Sequence, residues 1–340
     1  MSWQNIEGHD EVVRSFQQAL ERGRLAHAYL LVGPPGVGKR LFARALAQTL
    51  LCEGRAANQF QPCGQCAACA QVRADSHPDL IQVGRGSDEH ELPIDTIRQV
   101  IHDLGFKPAR GRYKITIVDD ADDMNQASAN CFLKCLEEPP PRSLLILVGT
   151  SVDVHLATVR SRCQLIRFGP LPESVVARVL LETGIVEHPA EADRLAAMSG
   201  GSLEWARGLA DPRLWNFRED LARALARGRV DTMRLAESAN EIVESASKET
   251  AAKRARAKLL LAIAGDLLDC CLRLSVGAGP RRCEPSLHES LGQISRRRDP
   301  ETIADMIEQC FEANYHLDRM GSIPLVIDAW TDRMAQAVGS

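Results

Sequence analysis

Gly33-Pro34-Pro35-Gly36-Val37-Gly38-Lys39-Arg40 is the stretch of this chain best equipped for chemistry. Its glycines let the backbone close on a phosphate, so that N–H groups and a following helix N-terminus point at the anion, and Lys39 adds a positive charge. In the usual pattern the residue after the lysine is Ser or Thr, whose hydroxyl ligates Mg²⁺; here it is Arg40, and a guanidinium cannot bind a cation. A pair of carboxylates belongs with this loop. Lys114-Ile115-Thr116-Ile117-Val118 reads as a buried strand and runs into Asp119-Asp120. Asp119 is placed to hold Mg²⁺ through water. Asp120 stands where a glutamate usually polarises the attacking water, one methylene short. Acids also end strands with no catalytic role, so the expectation is the geometry of a nucleotide site rather than its catalysis. Thr150, just past the apolar run 144–148, completes the nucleotide-binding candidates.

Cysteine spacing gives a second chemical group. Cys52, Cys63, Cys66 and Cys69 form C-x10-C-x2-C-x2-C, which sets three sulfurs around one point and lets Cys52 return as the fourth. Four thiolates make a closed tetrahedral zinc site, structural rather than catalytic because no ligand position is open. Four small buried cysteines in a loop, or an iron–sulfur cluster with the same ligands, are the alternatives.

The elements that must carry these groups follow from periodicity. The run 28–32 reads as a strand entering the glycine loop, and 41–47 as the helix leaving it. Val12, Val13, Phe16 and Leu20 mark an amphipathic helix closed by Gly23. Further strands are expected at 78–83, 114–118, 144–148 and 164–168, with helices from Pro93 and over 128–136, the latter stopped by Pro139-Pro140-Pro141. Strands alternating with helices predict a parallel sheet covered on both faces, with the ligand at the strands' C-terminal ends. Gly169-Pro170-Leu171-Pro172 reads as a hinge, followed by three short helices at 174–182, 190–198 and 203–209. Beyond 210 the pattern is helical only. One helical face carries Leu260, Ile263, Leu267, Cys271 and Leu274. A loop with Gly277, Gly279, Pro280 and Pro285 follows, and Asp299-Pro300 opens a helix with Ile303, Ile307, Cys310, Phe311 and Leu317 on one face.

The totals set limits. With 340 residues there is room for two or three domains. A net charge of -4 with 25% charged residues excludes a chain that wraps nucleic acid by overall basicity. Eleven cysteines suggest a reducing compartment. No apolar run approaches the ~20 residues that span a bilayer, and Met1-Ser2-Trp3-Gln4-Asn5 has no signal-peptide pattern, so the expected location is cytoplasmic.

These motifs occur in one order in a known class. The glycine loop, the four-cysteine insertion behind its helix, the Asp119-Asp120 strand, Leu136-Glu137-Glu138-Pro139-Pro140 and Ser161-Arg162-Cys163 resemble the bacterial clamp-loader subunits of the AAA+ class. His27-Ala28-Tyr29-Leu30-Leu31 and His77-Pro78-Asp79-Leu80 are similar to that class too. Within it the chain resembles the delta-prime family of the DNA polymerase III clamp loader. The resemblance implies an α/β AAA+ P-loop domain with a parallel sheet over 1–168, with its cysteine module at about 52–69. A three-helix lid over 169–209 and an all-α collar over 210–340 would follow.

What the resemblance implies about function turns on departures from the ATPase pattern. Arg40 and Asp120 are two, and Glu204 stands where an ATPase subunit would carry a sensor arginine. The chain also ends at Ser340, without the long extension of a polymerase-binding ATPase subunit. The expectation is a poor or inactive ATPase that helps assemble the ring loading the sliding clamp on primed DNA. Arg162 would be its catalytic contribution, a finger reaching the ATP of a neighbouring ATPase subunit; a surface arginine paired with an acid is the plain alternative. The implied cofactors are structural zinc and, through the intact glycine loop, ATP or ADP. The implied partners are the ATPase and clamp-opening subunits, the clamp, and primed DNA through the assembled complex, in a nucleoid-associated setting with no membrane. No polymerase active site is visible in this chain. A competent ATPase of the same fold is the first alternative. A zinc-stabilised nucleic-acid-binding regulator is the second, resting only on Arg110, Arg112 and Lys114 and on the basic runs Arg281-Arg282 and Arg296-Arg297-Arg298 in apparent loops.

Overall fold

In the computed structural model, residues 3, 6–56, 59–86, 91–110, 112–279 and 287–339 are described. The chain divides into a unit over Met1–Ala206 and a unit over Arg207–Ser340. The first is built on a five-stranded sheet in the order β2-β3-β4-β1-β5, with β1 at Ala28–Val32, β2 at Leu80–Val83, β3 at Lys114–Val118, β4 at Ser143–Gly149 and β5 at Gln164–Arg167. Every pairing is parallel. β1, β3 and β4 are buried along their whole length; β1 and the middle of β4 are accordingly unbroken apolar runs, while β3 also buries Lys114 and Thr116. The expected α/β arrangement of a P-loop domain is therefore present.

The helices of this unit are α1 (Asp10–Glu21), α2 (Lys39–Leu51), α3 (Ala67–Arg73), α4 (Ile94–Leu104), α5 (Gln126–Glu137), α6 (Ala157–Arg160), α7 (Glu173–Glu182) and α8 (Pro189–Met198), with α9 (Leu203–Leu209) running into the second unit. One face of the sheet, with Ala28, Leu30, Val32, Leu145 and Leu147, packs on Ile97 and Val100 of α4 and on Phe132 and Leu136 of α5. An aromatic chain lies elsewhere in the unit: Phe42 meets Trp3, Phe16 and Phe168 edge-on, with ring centroids 5.0–5.3 Å apart. Trp3 stacks on Phe60 at 4.2 Å, and its indole N–H reaches Thr49 Oγ1 and the Phe60 carbonyl, both at 2.9 Å.

Local differences from the sequence expectation have plain causes. The second strand begins at Leu80 rather than 78, because Asp79 turns inward to accept the N–H groups of Ala109 (2.6 Å) and Arg110 (2.8 Å). α4 starts one residue after Pro93, which sits at the N-cap with extended backbone. α5 starts earlier than expected because the Asn125 side chain caps it through the Ser128 N–H.

The second unit is helical: α10 (Pro212–Arg227), α11 (Thr232–Glu244), α12 (Thr250–Ser275), α13 (His288–Arg297), α14 (Pro300–Asp318) and α15 (Ile323–Gly339). α12 is its central helix, buried at Leu260, Ile263, Ala264, Leu267, Leu268 and Cys271. Two expectations are corrected here. Arg296 and Arg297 end α13 instead of lying in a loop, and Arg297 donates to the Ala226 carbonyl at 2.7 Å. On α14 the buried stripe is Ile303, Met306, Cys310, Ala313 and Leu317, while Phe311 is 69% exposed. One added apolar residue in a helical repeat shifts the inferred face by about 100°, which is how Phe311 was drawn into it. Pro280, Arg281, Arg282 and Pro285 lie outside the described residues. Among the described residues no helix is long and apolar enough to cross a membrane.

Candidate functional site

β1 delivers the chain to the glycine loop, and α2 starts at Lys39 with Gly38 as its N-cap at φ 99°. Two of the glycines are required by close packing inside the protein. A Cβ on Gly33 would overlap the Phe168 carbonyl, and a Cβ on Gly36 would overlap Ser202 and Glu204. The loop is pinned further by the Leu203 N–H on the Gly36 carbonyl at 3.1 Å. The start of α9 thus sits against the loop and brings Glu204 to it.

Lys39 is buried and donates to the carbonyls of Gly33 at 2.6 Å and Pro34 at 2.7 Å, so its ammonium is turned onto its own loop. Burial pulls it below the ordinary lysine value, opposed by the charges of Asp122, Asp119 and Glu204. Arg40 points its Nε at Asp119 Oδ2, 3.1 Å away. Burial and the neighbouring Asp120 charge raise the Asp119 carboxyl, against the pull of Arg40 and Lys39. The guanidinium that replaces the metal-binding hydroxyl thus lies on the carboxylate that would otherwise serve the metal. Asp120 is exposed and left-handed at φ 51°, opening a short 3-10 turn over Ala121–Asp123.

The sequence reading missed two members of this group. Asp122 Oδ2 accepts the Thr150 N–H at 2.6 Å, and its Oδ1 lies 3.0 Å from His155 Nε2. Thr150 in turn accepts the Gly33 N–H at 3.1 Å through its carbonyl. The backbone of Thr150 therefore ties the glycine loop to the acidic turn. Burial works to raise the Asp122 carboxyl, but His155 and the Thr150 N–H hold it below its ordinary value. The run Asp119-Asp120-Ala121-Asp122-Asp123 held four acids, and only the fold shows that Asp122 is the one held by Thr150 and His155.

Arg162 lies apart from these contacts, after α6. Its Nη2 is 2.5 Å from Glu137 Oε1 at the end of α5, and its Nη1 donates to the Thr158 carbonyl at 2.9 Å and Ser161 Oγ at 3.2 Å. In the single chain it is thus a half-buried arginine held by an acid. Cys163 beside it is partly buried, and desolvation pushes its thiol up to about 12, which leaves it inert.

The four cysteines converge as their spacing predicted. The sulfurs of Cys52, Cys63, Cys66 and Cys69 all lie within 4.8 Å of one another, with Cys52 and Cys66 at 3.9 Å. Four Zn–S bonds of about 2.3 Å give a tetrahedron with edges of about 3.8 Å, so the donor set fits zinc. Backbone N–H groups already face the sulfurs: Cys63 N onto Cys52 Sγ at 3.2 Å, and Cys66 N onto Cys63 Sγ and Cys69 N onto Cys66 Sγ at 3.4 Å. Such contacts favour thiolates and hold their orientation.

With this geometry in view, comparison with known proteins is informative. A family model described as DNA polymerase III, delta subunit, matches residues 8–172, which include every candidate residue from Gly33 to Arg162. DNA polymerase III subunit delta' of Pseudomonas aeruginosa is 36% identical over 193 residues, 55% of this chain and 58% of that protein. Its Escherichia coli counterpart is 33% identical over 219 residues, 64% of this chain and 63% of that protein. Over residues 8–172 the chain is similar to the delta' subunits of DNA polymerase III, and in that sense is delta-prime-like. Subunit tau of Escherichia coli is 32% identical over 212 residues, 61% of this chain but 32% of that longer protein. In each case the match spans less than two thirds of the relative's own length.

Proposed function

We propose that this chain is an assembly and trans-activating subunit of a DNA polymerase III clamp loader, with a nucleotide site that turns over little or no ATP. The Arg40–Asp119 ion pair carries the reading. Metal-assisted phosphoryl transfer needs a hydroxyl and a carboxylate free to organise Mg²⁺. Here the hydroxyl is replaced and the carboxylate is engaged. Lys39 on its own loop carbonyls and Glu204 beside the loop point the same way, since a carboxylate repels a γ-phosphate.

In this reading the catalytic contribution is Arg162, offered across a subunit boundary to the ATP of a neighbouring ATPase subunit. A finger in trans neutralises charge on the transferred phosphoryl and raises turnover by ~10³–10⁵. Glu137 holds it in the free chain, so assembly must exchange that carboxylate for a phosphate. The partners are then ATPase and clamp-opening subunits, the sliding clamp, and primed DNA reached through the complex. Zinc in the four-cysteine cluster is structural, and the setting is the bacterial cytoplasm.

Steady-state ATP hydrolysis tests this. The chain alone should be silent. Reconstituted with ATPase and clamp-opening subunits on clamp and primed DNA, the complex should hydrolyse ATP at a rate that Arg162→Ala lowers by at least tenfold. Turnover by the pure chain that Lys39→Ala abolishes would instead make it a motor subunit.

A further inference from the structure

At the end of the sheet away from the glycine loop lies a second cavity, of about 460 Å³. It opens where β3 and β4 begin, beside Tyr113 and Ser143, and is bounded by His27 just before β1. The glycine loop follows the opposite end of β1, so the two places are separate. Three arginines line the cavity, Arg55, Arg112 and Arg142, against one acid, Glu21, whose carboxylate accepts a hydrogen bond from Gln17. The volume falls within the range of small-molecule sites.

Three features mark this as more than a basic surface. Arg55 is 7% exposed, a burial that arginine tolerates only when its guanidinium is partnered, and it fixes a positive charge in the cavity wall. Its guanidinium donates to the Gln59 carbonyl, and burial together with the nearby Arg112 charge pulls it below its ordinary value. Arg142 is a non-glycine residue in the left-handed region, at φ 63°. It is held there by the Lys114 N–H on its carbonyl at 2.9 Å and by the Ser143 N–H on the Pro140 carbonyl at 3.0 Å. Backbone strain at a cavity wall is where ligand-holding residues concentrate. Ser143 is 7% exposed, yet its hydroxyl has no hydrogen-bond partner among the described residues. A buried hydroxyl without a partner is costly unless a ligand or water completes it. Arg112 and Arg142 have no carboxylate partner among the described residues.

We propose that this cavity binds a phosphate-bearing small molecule of nucleotide size, with Arg112 and Arg142 as forked donors to its phosphates and Ser143 Oγ as a further contact. Guanidinium groups match phosphate oxygens in pairs, and three of them clustered against a single acid leave a net positive field that an anion relieves. The proposal is independent of the reading of the glycine loop and stands if that reading fails.

Equilibrium titration of the full-length chain with pyrophosphate and with ATP tests it, in wild type, Lys39→Ala, Arg112→Ala and Arg142→Gly. Both probes should bind wild type, and Lys39→Ala should leave one binding event intact. Arg112→Ala and Arg142→Gly should each weaken that event about tenfold or more. Glycine accepts φ 63° better than arginine, so Arg142→Gly should keep or raise Tm while losing affinity, which separates loss of the site from loss of the fold. No binding to wild type, binding unchanged by both arginine variants, or binding abolished by Lys39→Ala would each overturn it.

Discussion

In the proposed reading, Arg40 and Asp119 are how one residue change closes a site without dismantling it. The glycine loop keeps its shape, yet Asp119, the acid proposed to serve a metal, is paired with Arg40 of the neighbouring helix. Arg40 is 64% exposed, so the pair contributes only ~0–1 kcal/mol to stability. Arg40→Thr should therefore leave Tm nearly unchanged while making ATP binding tighter and Mg²⁺-dependent, as read by titration with and without the metal. Asp122 carries the opposite balance. It joins Thr150 and His155, and Asp122→Ala should cost ~1–3 kcal/mol at neutral pH. Its folded pKa is depressed below 3.8, so its stabilisation is full above that value and is lost as pH falls through the folded pKa. Urea unfolding at pH 7 and pH 3 should show the gap between wild type and variant shrinking at the lower pH.

Among the elements, the loop between α2 and α3 carries the four-cysteine cluster together with the start of α3. Cys63 is exposed, and the loop's links to the rest of the unit include the cysteine cluster and Phe60 under Trp3. Zinc binding should supply much of its order, because a four-thiolate site contributes its binding energy to folding. Chelation should release about one zinc per chain, as four sulfurs imply. It should also red-shift the fluorescence assigned to Trp3 by difference from Trp3→Phe. A metal-free chain with unchanged Trp3 emission and Tm would remove zinc from the structural account. α5 plays a different part: its body fills the core through Phe132 and Leu136, while its last residue, Glu137, holds Arg162.

For the whole molecule, the second unit leaves Phe311 and Tyr315 69% and 53% exposed on one face of α14, four residues apart. Large apolar side chains grouped on a surface mark contact sites, and the proposed assembly role would need such a site. Phe311→Asp should leave the free chain's unfolding free energy within ~0.5 kcal/mol of wild type. It should weaken co-assembly with ATPase subunits at least tenfold in analytical gel filtration. Equal assembly by both would place the contact elsewhere.

Composition and spacing determined much of this protein. Apolar-rich runs read as strands because parallel strands are buried on both faces, and β1, β3 and β4 are. The C-x2-C-x2-C spacing placed its sulfurs together because short turns leave them little choice, and the glycine loop was legible because its geometry is local. The identity of Arg40 also announced a missing hydroxyl before any coordinate did. What Arg40 does instead needed the fold, since Asp119 is 79 residues away and reaches it only through the neighbouring strand. The same holds for Asp122 among four acids, for Glu137 holding Arg162, for Ser202 and Glu204 against Gly36, and for the meeting of Arg55, Arg112 and Arg142. Phe311 could not be placed because a helical pattern gives a face but not the partner that buries it. Periodicity records which residues avoid water; long-range pairing of charges depends on which strands and helices become neighbours, and that is decided only when the chain has folded.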